Sequence, residues 1–108
     1  MSFNGNEGEH ITLNSAISWT SNYRNSGNFN GINAIFYGKN HIKDILAQPG
    51  CVGIRIYDAI DDAGVPVKVL IGTDANENDL LNGLIIERGT PCPPYCGGGG
   101  GVTNPLQG

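Results

Sequence analysis

Apolar and polar residues alternate most clearly between Cys51 and Asp74. Val52, Ile54 and Ile56 fall on one side of an extended chain, with Arg55 and Tyr57 on the other. Val67, Val69 and Ile71 form a second row, with Lys68 opposite. Period-two alternation over such lengths predicts two half-buried strands. Between them, Asp61-Asp62-Ala63-Gly64 predicts a type I turn closed by a bulge. Aspartate bonds to backbone just ahead of it, and glycine supplies a positive φ. Pro66 has no amide proton to give to a ladder, so its strand lies at a sheet edge or begins just beyond it. A lone hairpin is marginal in water and needs a cover on its apolar side.

Helical spacing supplies that cover. Thr12 is placed to cap a helix in which Leu13, Ala16, Ile17 and Thr20 recur at three and four, and which Arg24 closes. Trp19 and Tyr23, four apart, share an adjoining face. Residues 25–33 read as loop. Ile32, Ile35, Phe36 and Tyr37 form either a short strand or the apolar entry to a second helix. That helix runs from Lys39 to Gln48, with Ile42, Ile45 and Leu46 on its apolar face, and Pro49-Gly50 stops it. Leu84, Ile85 and Ile86 suggest a third strand.

The expected fold class is therefore α+β: two helices packed on a small antiparallel sheet centred on the hairpin of residues 51–74, with an extended C-terminal tail. Ile54, Ile56, Val67 and Val69 are expected to face the helices, so that truncating Ile56 to alanine costs about 2–5 kcal/mol. Residues 1–10 read as a flexible arm, 11–90 as a single domain and 91–108 as a Pro/Gly-rich tail. The tail's prolines favour extended chain, while Gly97 to Gly101 favour no conformation.

Composition sharpens this picture in one respect. Only 15% of the 108 residues are charged, against roughly 25% in an average domain. Glycine, at 17 residues, and asparagine, at 13, take their place. Both favour turns, which implies a small core and much irregular chain. The net charge of −4 and six scattered Lys and Arg residues argue against nucleic acid as a partner. No run approaches the roughly 20 apolar residues of a membrane-spanning helix, so no membrane insertion is expected. The first ten residues lack a basic start and an apolar core. Cytoplasmic residence is the default expectation, with export as a processed chain still open.

The runs YGKNHIKDILAQPGCVGIRIYDAIDDAG, VLIGTDANENDLL and PCPPYCG together resemble a family of small uncharacterised bacterial proteins. The resemblance spans most of residues 11–97. It implies no activity, and it carries over no site residues.

Three groups of residues are candidates for chemistry. Asp74, Asn76, Asn78 and Asp79 alternate oxygen ligands as a calcium loop does. The pattern departs from an EF-hand, with Asp79 where glycine belongs and Ile85 where the bidentate glutamate belongs. An Asx-rich turn accounts for the same residues. Cys92 and Cys96 either bridge or contribute to a metal site, for which Cys51, His41 and His10 are the remaining donors that no spacing draws together. Cys51, opening a buried strand, reads as a small core residue. The acidic residues form two poles, Asp58, Asp61 and Asp62 near the turn and Asp74, Glu77 and Asp79 beyond the second strand. Strand length places these roughly 20 Å or more apart.

No nucleophile and base can be paired, so no catalytic residue is assigned, and no cofactor is expected. The leading expectation is a non-catalytic interaction or structural module that associates with itself, or with another protein, through a sheet edge and the tail. Its contact residues would be Pro66, Lys68, Tyr95, Val102 and Leu106, with the tail docking on a second chain. A small cation-binding protein, or a small enzyme, is the alternative.

Overall fold

A computed structural model describes residues 2–98 and 104–108. The order of elements is α1 (Leu13–Arg24), β1 (Ala34–Phe36), α2 (Lys39–Leu46), β2 (Cys51–Ile60), β3 (Pro66–Asp74), β4 (Ile85–Ile86), β5 (Thr90–Cys92) and a C-terminal 3-10 turn, Pro105–Gln107. These form two small antiparallel sheets, β2-β3-β4 and β1-β5, so the α+β class and the central hairpin hold.

The chain makes two compact units. One comprises Met1–Gly8 and Tyr37–Gly89, the other Glu9–Phe36 and Thr90–Gly108. Within the first, the Phe3 amide donates to the Ala75 carbonyl at 2.9 Å and the Phe3 ring lies 5.4 Å from the Arg55 guanidinium. Helix α2 packs on β2 and β3, whereas α1 packs on the C-terminal turn.

In the hairpin unit the turn forms as its residues dictate. Asp61 Oδ1 accepts the amides of Ala63 and Val65, both at 2.9 Å, and Gly64 sits at φ 81°. Pro66 is the first residue of β3, where its missing donor costs nothing, but β3 is the central strand and not an edge. The register pairs Ile54 with Gly72, Ile56 with Leu70, Tyr57 with Val69 and Ala59 with Val67. Directly paired residues share a face. Val67 and Val69 therefore lie on the face of Tyr57, opposite to Ile54 and Ile56, which corrects the expected common row. Each strand's alternation is legible in sequence, but the phase between strands is set by the turn.

Ile45 of α2 is fully buried over Gly72, on the face that buried Leu70 shares, while Ile71 and Thr73 are buried on the opposite face of β3. Ile56 is 62% exposed, so it is not the core residue the alternation suggested. Gln48 locks the helix end: its Nε2 donates to the Ile45 carbonyl at 2.9 Å, and its Oε1 accepts the Leu84 amide at 2.8 Å.

In the second unit, the Thr12 hydroxyl accepts the Ser15 amide at 3.0 Å and α1 ends at Arg24, as its sequence predicts. None of its residues is fully buried. Strand β1 takes the strand alternative left open for residues 32–37, and it pairs with β5 through Ile35 and Pro91. A two-stranded sheet gives Pro91 only one neighbour, so a strand proline is tolerated there. Beyond it the chain is not extended. The Tyr95 amide donates back to the Pro91 carbonyl at 3.0 Å, and Cys92 and Cys96 form a disulfide.

Residues 104–108 make contacts within their own chain. Arg24 Nη1 donates to the Leu106 carbonyl at 2.6 Å, and Asn104 Nδ2 donates to the Cys96 carbonyl at 2.7 Å. Val102, expected at an interface, lies outside the described residues.

Candidate interaction surface

Strand β2 is ten residues long and, among the described residues, pairs with β3 on one side and with no strand on the other. The Asp61 amide donates to the Val65 carbonyl, which fixes the phase of the ladder. Tyr57 and Ala59 therefore exchange bonds with Val69 and Val67, while Ile54, Ile56, Asp58 and Ile60 turn their backbone groups outward. The far side of β3 agrees with this phase. The Lys68 carbonyl accepts from the Tyr37 hydroxyl at 2.9 Å, and the Gly72 carbonyl accepts from the Leu80 amide at 2.9 Å. Tyr37 is suited to donate, since partial burial, with Glu87 nearby, pushes its phenol pKa up.

The outward groups of β2 run alongside exposed apolar side chains. Ile56 and Ile60 are 62% and 73% exposed, and Tyr57 and Val65 are also exposed. Asp58 carries the negative charge here and is paired with Lys68 of β3. Lys68, expected among the contact residues, sits on the central strand and pairs with Asp58. At the start of β2 the N-terminal arm intervenes, because a side chain at Gly5 would approach the Val52 carbonyl to 3.2 Å. The open span is therefore 54–60.

On the Tyr57 face, the loop after β3 folds back over the hairpin. Asp79 accepts from the Tyr57 hydroxyl, from the Thr73 hydroxyl at 3.0 Å and from Arg55 Nη1 at 2.9 Å. Its carboxyl is held below the usual range chiefly by the Tyr57 hydroxyl, against the effect of partial burial and with help from Thr73 and Arg55. Asp74 Oδ1 accepts the amides of Asn76 and Asn78 at 2.9 and 3.0 Å, which is an Asx turn. The four candidate calcium ligands are thus divided, Asp74 turned to its own loop and Asp79 to Arg55.

A lowered carboxyl pKa stabilises the fold above the unfolded carboxylate range, near about pH 4, and the stabilisation fades as pH falls through the lower native value. Asp79→Asn is expected to lower the melting temperature at pH 7 and to flatten its fall below pH 5. Melting curves of both proteins between pH 2 and 7 check this; parallel curves would show that Asp79 contributes no such linkage.

The remaining candidates lie in the second unit. Cys92 and Cys96 are bonded to each other, and Cys51 is the free cysteine, half-buried, with its thiol 3.2 Å from the Gly53 carbonyl. Tyr95 is exposed beside a groove of about 440 Å³ that Phe36 and Ile35 also line. Leu106 is partly covered by the cis docking of its own carbonyl on Arg24. Among the described residues, no group of three or more His, Cys, Asp and Glu side chains is arranged to hold a metal, and no helix is long and apolar enough to cross a membrane.

No family model, curated protein or solved structure matches the chain.

Proposed function

We propose that this protein is a non-catalytic interaction module that associates with itself through the edge of β2. The observation that carries the reading is the open span of residues 54–60, a long strand edge flanked by exposed Ile56 and Ile60. Unpaired strand edges template pairing with another chain, and proteins that stay monomeric blunt them with charge, proline or short length. Here the outward row is Ile, Ile, Asp, Ile, and the aspartate is already paired with Lys68. Tyr95, exposed beside Phe36, is the part of the tail region that stays available to a partner. The Cys92–Cys96 bridge supports an oxidising compartment over the cytoplasm expected from the first residues, because such bonds persist under oxidising conditions.

Sedimentation over a hundredfold concentration range tests this. The native chain is expected to pass from monomer to dimer as concentration rises. Ile56→Glu, which adds a second negative charge beside Asp58 along the edge, is expected to remain monomeric with an unchanged circular dichroism spectrum. A native chain that is monomeric throughout would sink the proposal.

A further inference from the structure

We infer that the dimer forms by antiparallel pairing of β2 with β2 of a second copy about a two-fold axis at Tyr57, making one sheet in the order β4-β3-β2-β2-β3-β4. This rests on the self-association proposed above and adds its geometry. A two-fold normal to the sheet keeps each face on its own side, so opposed residues must come from the same face and the axis must pass through a residue. Three registers use the outward row of 54–60, and the observed contacts separate them.

An axis at Asp58 places that carboxylate directly against its copy, where like charges opposed across strands are destabilising. An axis at Ile56 requires Ile60 to pair with Val52 of the other copy. The backbone there is approached by the N-terminal arm at Gly5, within 3.2 Å of where a side chain would stand. An axis at Tyr57 meets neither obstacle. It opposes Ile54 with Ile60 and Ile56 with Asp58, and it uses the whole open span.

The hydrogen-bonding phase agrees with this register. Ile54, Ile56, Asp58 and Ile60 carry the outward backbone groups, so each of those pairs exchanges two ladder bonds. Tyr57 directs its own backbone groups to Val69, so the two tyrosines meet as a non-hydrogen-bonded pair, the closer of the two kinds. On that face Arg55 stands opposite Ala59, so no like charges oppose each other. On the other face Ile54 and Ile60 meet, and Ile60, 73% exposed in the single chain, gains an apolar neighbour. Asp58 keeps its ion pair with Lys68 of its own chain. The outer strand of this joined sheet is then β4, two residues long, which offers little for further growth.

Site-directed crosslinking reads the register. In a full-length Cys51→Ser background, Tyr57→Cys places its two copies about 4.5 Å apart between Cα atoms, within disulfide range. Under a mild oxidant it is expected to convert the dimer fraction to a covalent dimer, and Ala59→Cys, four residues from its own copy, is expected to give none. Should Tyr57→Cys not fold, an equimolar mixture of Ile54→Cys and Ile60→Cys proteins is expected to crosslink as a mixed dimer and not within either protein alone. A sedimenting dimer that crosslinks through Ile56→Cys, or through neither probe, overturns the register while leaving self-association standing. A native chain that sediments as a monomer at every concentration overturns both.

Discussion

Replacing Ile45 with alanine lowers the stability of the hairpin unit by about 2–5 kcal/mol. Among the described residues Ile45 is the large side chain with no exposed surface, and it is the knob by which an eight-residue helix holds the sheet. A helix so short has no independent stability in water, so its packing decides whether it forms. Truncation removes the transfer energy of the lost carbons and leaves a cavity, since Gly72 below has no side chain to fill it. Domains of this size have about 5–15 kcal/mol in total, so the loss is a large fraction. Denaturant midpoints of the native and variant proteins measure it. Ile56→Ala, at an exposed site, is expected to cost under about 1 kcal/mol. Equal losses from the two would refute the placement of the core.

Gly72→Val is expected to destabilise at the upper end of the roughly 1–3 kcal/mol that overpacking costs, or beyond it. A Cβ at this position would lie 2.9 Å from Gln48 Nε2, 3.0 Å from Cys51 Sγ and 3.3 Å from Ile45 Cγ2. Gln48 cannot simply swing away, since it holds the Ile45 carbonyl and the Leu84 amide. Gly72→Ala should cost less, and its cost should shrink further in a Gln48→Ala background, where the obstructing amide is gone. A double-mutant cycle reads that coupling. Additive effects would show that the two residues do not meet. Glycine in a central strand, unfavourable by propensity alone, is here the condition for close approach of α2.

Local rules were enough for most elements. Thr12 capped its helix, Asp61 and Gly64 made their turn, Pro49-Gly50 stopped α2, and the β-branched runs became β2 and β3. What failed were relations between elements. The alternations of β2 and β3 are both correct, but the turn slides one against the other so that Ile56 meets Leu70 and not Val69. Which helix covers which strand depends on long-range closure, and nothing in the spacing of α1 marks it as the partner of residues 105–107. Strand β5 was hidden because it holds a proline in three residues, a composition that reads as tail. The Asp79 cluster was missed for a related reason: Arg55, Tyr57, Thr73 and Asp79 are drawn together by the return of a loop, which no local period records. The open edge was half legible. Its apolar row was visible in sequence, but the strand order that leaves β2 rather than β3 at the edge was not.

Amide hydrogen exchange along β2 tests the central claim most directly, because it reads the outward and inward groups of one strand separately. The amides of Tyr57 and Ala59, bonded to β3, should be protected at every concentration. Those of Ile54, Ile56, Asp58 and Ile60 should exchange freely in dilute protein and become protected as concentration rises into the range where the dimer forms. Outward amides that exchange at the same fast rate across that whole range would contradict pairing at this edge.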